Sequence, residues 1–195
     1  MTHTALIIVD VQESFRVMPS WKDISNPNIV EPINELVKHA RINQDYVVWV
    51  LHQDLESGTP FDPVNGHVKL LAGLNPVSED IQVTKTSHNA FTTTNLGQQL
   101  QSRGVTHLRI AGIRTEQCVE TTTRLASDLG YEVEVVLDAT ATHPLPLIGT
   151  DEILSAAQVI ERTAAALTGR FASITSVEQV VAQQLKCLQN IVYLY

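Results

Sequence analysis

The stretch His107-Leu108-Arg109-Ile110-Ala111-Gly112-Ile113-Arg114-Thr115-Glu116-Gln117-Cys118-Val119-Glu120-Thr121-Thr122 decides the fold. Its first half, His107 to Ile113, is a mainly apolar run and reads as a buried strand. A short turn follows. From about Glu116 the pattern becomes helical and runs to about Leu129, where Gly130 stops it. Cys118 therefore falls in the first helical turn, just past the carboxyl end of a strand. Unpaired N–H groups and the positive end of the helix dipole favour a thiolate there, and the thiolate is the nucleophilic form. The same residue also reads as an ordinary buried cysteine.

The pattern repeats on either side. Ala5–Val9, Tyr46–Leu51, Ile81–Thr84, Glu132–Leu137 and Phe171–Ile174 are further strands. Between and after them, helices are predicted over Asn26–Asn43, capped at Asn28, and over Thr94–Arg103, Asp151–Thr168 and Ser176 to about Gln189. The alternation predicts a single three-layer α/β/α domain, a Rossmann-like open sheet of six mainly parallel strands over 1–195. Ligands of such sheets bind beyond the carboxyl ends of the strands. Asp10 ends the first strand, Lys85 the third, and Cys118 follows the fourth, so the topology gathers an acid, a base and a thiol on one rim. Taken singly, Asp10 also reads as a loop cap and Lys85 as a lysine reaching for solvent.

Composition narrows the class. The chain has 44% hydrophobic and 17% charged residues, which suits a packed globule. A net charge of −8 without a Lys/Arg cluster argues against a nucleic-acid surface. Cys118 and Cys187 lie far apart and suggest no disulfide framework. The apolar start Ala5–Val9 is broken by Asp10, too short for a signal or a membrane span, so a cytoplasmic setting is expected. Neither Gly-x-Gly-x-x-Gly nor a Walker sequence follows the first strand, so no nucleotide cofactor is indicated.

Other residues have two readings each. Phe15 and Trp21 wall a pocket or pack over the sheet edge. His143, in the loop Thr142–Pro146, touches substrate or is structural. The long irregular segment 53–78 begins beside His52 and holds Asp54, Glu56 and His67, the best metal-ligand types in the chain. They lack a tight ligand pair, so no metal is expected.

Three segments resemble signatures of the isochorismatase-like cysteine hydrolases: Ile7-Ile8-Val9-Asp10-Val11-Gln12, Lys85-Thr86-Ser87-His88-Asn89-Ala90-Phe91, and Gly112-Ile113-Arg114-Thr115-Glu116-Gln117-Cys118-Val119 with Thr122. The resemblance extends through Phe171-Ala172-Ser173-Ile174-Thr175-Ser176-Val177-Glu178. It implies Asp10, Lys85 and Cys118 as a catalytic triad and a cis peptide at Ile113–Arg114. It also implies an oxyanion hole from the N–H groups of Arg114 and Cys118, and a homodimer or homotetramer. The activity it implies is thioester-forming hydrolysis of a small amide, ureido or carbamoyl compound, without cofactor. Isochorismatase-type vinyl-ether hydrolysis and a non-catalytic regulator that keeps the fold are the alternatives; a redox-sensing thiol would need Cys187 as its resolving partner.

Two departures matter. Where nicotinamidases carry a metal-binding Asp-x-His, this chain has Asp54-Leu55-Glu56, which weakens the zinc and nicotinamidase readings. Arg114 stands where they have a small residue. It either binds a substrate carboxylate or pairs with an acid such as Glu116.

Overall fold

The computed structural model describes residues 3–182. Strand β1 (His3–Val9) is central, and its sequence shows why. Ala5, Ile7 and Val9 face one apolar cluster while Leu6 and Ile8 face another, so both sides of the strand are covered. Burying each large aliphatic side chain contributes about 1.5–3 kcal/mol. Around β1 lie β2 (Tyr46–His52), β3 (Ile81–Lys85), β4 (Val105–Ile113), β5 (Glu132–Ala141) and, numbered last in the chain, β8 (Ser173–Thr175). They form one six-stranded sheet in the order β3-β2-β1-β4-β5-β8. Every pairing in it is parallel.

The helices make the outer layers. After the short α1 (Glu13–Arg16) comes α2 (Val30–Ile42), which lays Ile33, Leu36, Val37 and Ala40 on one face of the sheet. Val177 and Val180, in a helical stretch over 177–182, join the same face. The opposite face takes Leu96 and Leu100 of α3 (Leu96–Ser102), Ala126 of α4 (Glu120–Asp128) and Leu167 of α5 (Ala156–Leu167). The expected three-layer α/β/α architecture is thus observed. The remainder of the last predicted helix, Cys187 and the apolar end Ile191–Tyr195 lie outside the described residues.

Three of the boundaries that differ from the sequence reading have a clear local reason. Helix α2 starts at Val30 with Ile29 at its cap position, and no side chain caps it. Asn28 contributes its backbone carbonyl to Glu31 N–H instead. Helix α5 starts five residues later than expected because β6 (Leu145–Pro146) and β7 (Ile153–Leu154) pair as an antiparallel hairpin. Ser155 then opens the helix through a reciprocal capping box with Gln158. Finally, β5 continues past Leu137 to Ala141. The register jumps from Ile110↔Val135 to Gly112↔Thr140, so β5 bulges beside the end of β4.

Gly112 of β4 lies hard against Val9 of β1. Its φ is +128°, and a Cβ built there would lie 2.0 Å from the Val9 carbonyl oxygen. Both the backbone conformation and the space exclude a side chain. Gly112→Ala should therefore push β1 and β4 apart at the strand ends that carry the site. The expected result is loss of the cooperative unfolding transition in urea, or a midpoint lowered by more than any single core truncation; unfolding like the parent would contradict it.

Candidate active site

Each residue of the rim is placed by its own strand end. Val9 ends β1, and Asp10 turns into the left-handed region at φ 53°. Aspartate tolerates that region better than bulkier residues do. Its N–H still donates to Val50 of β2 at 2.9 Å, and its carbonyl accepts from Gln12 N–H at 2.9 Å. Lys85 is the last residue of β3. Cys118 lies beyond β4, within a wide π-type turn over Thr115–Val119 that precedes α4. A first α-helical turn was expected there. The wider turn is closed by Val119 N–H donating to the Arg114 carbonyl at 3.2 Å. Turns of this kind are frequent at functional sites. The peptide Ile113–Arg114 just before it is cis.

The three side chains meet. Lys85 Nζ donates to Asp10 Oδ2 at 2.7 Å and to Cys118 Sγ at 3.5 Å. Asp10 and Lys85 are fully buried and Cys118 is 8% exposed. Burial pushes the Asp10 carboxyl above its ordinary value, and the Lys85 charge opposes this without cancelling it. The Cys118 thiol is pushed up to about 12, first by burial and then by the Asp10 charge. The helix dipole at this turn favours a thiolate, the form the sequence leads one to expect. Desolvation outweighs it here, so the resting sulfur is protonated and the proton has to leave during reaction. Asp10 Oδ1 is buried and accepts no hydrogen bond, which leaves one carboxylate oxygen unengaged.

The π-type turn is pinned by the β5 bulge. Thr115 Oγ1 donates to Thr140 Oγ1 at 2.9 Å, and Thr140 Oγ1 donates to the Leu137 carbonyl at 2.8 Å. Thr142 Oγ1 donates to Glu116 Oε2. Beyond the turn, buried Glu120 accepts from Arg124 and Arg162, each at 2.7 Å. None of these threonines was singled out from the sequence, because the bulge that brings them to the turn leaves no periodic signature.

The remaining candidate residues have ionic or packing partners of their own. Arg114 Nη2 lies 3.3 Å from Glu116 Oε1, and both side chains are largely enclosed. His143 is 6% exposed. Burial and the Arg114 charge lower its pKa, which favours a neutral ring. Phe15 packs edge-on against Phe61 at 4.9 Å, and Phe61 meets the His52 ring at 5.7 Å. Trp21 packs against the cluster that holds Phe15. His52 does not join Asp54, Glu56 and His67 in a ligand set; its Nδ1 sits 3.3 Å from Lys85 Nζ. Among the described residues no group of His, Cys, Asp or Glu side chains is arranged to hold a metal ion. Among them, too, no helix is long and apolar enough to cross a membrane.

A family model described as the isochorismatase domain matches residues 4–179. The chain belongs to the isochorismatase family. An uncharacterized isochorismatase family protein of Bacillus subtilis, YrdC, is 30% identical over 182 residues, which are 93% of this chain and 96% of that protein. The ureidoacrylate amidohydrolase RutB of Klebsiella pneumoniae is 30% identical over 70% of this chain and 72% of its own length. The crystal structure of a cysteine hydrolase from Pseudomonas syringae superposes with a TM-score of 0.84 at 27% identity, covering 92% of this chain and 91% of that one. This isochorismatase-family chain is thus a hydrolase of the cysteine-hydrolase fold, with amidohydrolases among its relatives.

Proposed function

We propose that the protein hydrolyses the C–N bond of a small amide, ureido or carbamoyl compound through a thioester on Cys118. The observation that carries this reading is the buried contact of Lys85 Nζ with both Asp10 Oδ2 and Cys118 Sγ. Asp10 takes the thiol proton as the sulfur attacks the carbonyl carbon. The C–S bond forms while the carbonyl π pair moves onto oxygen. Lys85 supports the anionic sulfur, and the N–H groups of Arg114 and Cys118 receive the oxyanion, an effect of about 3 kcal/mol per donor in comparable sites. As the C–N bond breaks, protonated Asp10 returns its proton to the leaving nitrogen. Water then gives a proton to Asp10 and attacks the thioester, and the departing sulfur takes that proton back.

The test is ammonia or amine release from a panel of small amides, ureides and carbamoyl compounds, with and without chelator. Chelator-insensitive release, with an acyl adduct on the Cys118 peptide trapped by acid quench, supports the reading. Chelator-sensitive release, or activity on vinyl ethers alone, overturns it.

The acid limb of the rate has a definite sign. Asp10 must be ionised to accept the thiol proton, and burial raises its pKa from 3.8. The half-point of kcat/KM on the acid side should therefore lie above the ordinary aspartate range, measured with a substrate that does not itself titrate there. A limb at or below pH ~4 would contradict the assignment of Asp10 as base.

Phe15, Trp21, Arg114 and His143 are the proposed substrate contacts. Because Arg114 is engaged by Glu116, a neutral substrate head group is favoured over a carboxylate, which would have to displace that acid. Glu116→Gln releases the guanidinium. It should raise kcat/KM for carboxylate-bearing amides about tenfold relative to their neutral counterparts, the scale of one charge-assisted hydrogen bond. Equal changes for both substrate classes would exclude Arg114 from recognition.

A further inference from the structure

Lys85 carries three N–H donors. Two are directed at Asp10 and Cys118, and the third meets a residue with no assigned role. His52 Nδ1 lies 3.3 Å from Nζ. We propose that His52 is a positioning residue: a neutral imidazole that accepts the third ammonium hydrogen and so aims Lys85 at Asp10 and Cys118. The proposal rests on the catalytic reading of those residues and extends it to a side chain outside them.

Several observations fix His52 for this task. It is the last residue of β2 and the register partner of Lys85 on β3. Its backbone is gripped from both sides by the buried Gln12 side chain: His52 N–H donates to Gln12 Oε1 at 2.7 Å, and Gln12 Nε2 donates to the His52 carbonyl at 2.9 Å. The segment that carries Asp10 therefore also holds the backbone of His52, so one turn fixes two of the partners of Lys85. The Phe61 ring closes the outer side of the imidazole at 5.7 Å.

The charges around the ring agree with a neutral acceptor. Lys85 from β3 and His88 from the following loop disfavour protonation, while Asp54 from the loop after β2 and a hydrogen bond to the Ser87 backbone favour it. Burial is the largest effect, and the ring is held down to about 4. At neutral pH the Nε2–H tautomer then leaves Nδ1 available to accept. Were it protonated, two cations would face each other and Lys85 would lose its third partner.

The experiment compares His52→Leu, which removes the acceptor, with His52→Asn, whose Oδ1 stands near the place of Nδ1. Two readouts are taken: turnover of a substrate found in the amide panel, and alkylation of Cys118 by iodoacetamide in a Cys187→Ser background, with Lys85→Met as the floor. With His52→Leu, kcat is expected to fall about ten- to a hundredfold with KM changed less than threefold, a loss confined to the chemical step. Alkylation should slow toward the Lys85→Met value. His52→Asn should restore both to within about threefold of the parent. Parental behaviour of His52→Leu, or equal damage by the two substitutions at matched thermal midpoints, would overturn the proposal. Failure of the catalytic reading looks different: turnover would survive Cys118→Ser, while the alkylation series would still report whether His52 positions Lys85.

Discussion

Cys118→Ser should abolish hydrolysis while leaving the fold intact. A serine side chain is isosteric in shape with, and smaller than, the cysteine it replaces, so the buried site, 8% exposed, accepts it without overpacking. Its hydroxyl is a far weaker acid than a thiol, even than one raised to about 12. Asp10, with nothing stronger to help it, cannot take that proton at a useful rate. The expected loss in kcat is about ten-thousandfold or more, the scale seen when one member of a nucleophile–base set is removed. Steady-state ammonia release measures it, and circular dichroism with a thermal melt checks that the variant is folded. Activity above about a tenth of the parent would remove Cys118 from the reaction.

Lys85→Met should damage stability as well as catalysis, and the damage should depend on pH. The substitution keeps an unbranched chain of similar volume, one bond shorter, and buries no new polarity, but it leaves Asp10 without the cation 2.7 Å away. Breaking a fully buried pair from one side costs about 3–5 kcal/mol, because the remaining charge is uncompensated. The sign follows from linkage. The folded-state pKa of Asp10 is already raised above 3.8, and losing Lys85 raises it further. An acid that holds its proton more tightly when folded stabilises the fold at low pH and loses that contribution as pH rises above the unfolded value. The variant should therefore approach parental stability near pH 5 and fall furthest behind at pH 8, as measured by urea midpoints. Asp10→Asn combined with Lys85→Met should recover much of the loss at pH 8. A constant deficit at both pH values would mean that Asp10 is not ionised in the native parent.

The sheet, its strand ends and the meeting of Asp10, Lys85 and Cys118 were legible because they follow from periodicity. Runs such as Ala5–Val9 have one physical outcome in a two-sided parallel sheet, and a charged residue closing such a run is conspicuous. Helix α5 was misplaced because Ile153 and Leu154 suit a helical stripe as well as a hairpin, and only the pairing with Leu145 and Pro146 decides. The roles of Thr115, Thr140 and Thr142 were not legible, since a bulge shifts register without changing composition. His52 stood out in the sequence only as a residue type that can bind a metal, in a segment where no metal is expected, for the same reason that it suits Lys85: an imidazole lone pair accepts either cation. Which one it meets depends on a register partner that lies 33 residues away.

The strand order has a consequence for how the site can change. Because β2 lies between β3 and β1, the cation of Lys85 has to travel from β3 past the end of β2 to reach Asp10. Adjacent strands are about 4.8 Å apart, so the gap bridged is roughly 10 Å. That span acts as a ruler. A side chain one bond shorter would stop over His52, short of both partners, whatever its charge. Thialysine placed at position 85 during chain assembly, so that Cys118 never meets the alkylating agent, restores the reach to within a fraction of a bond and is then the replacement from which function should return.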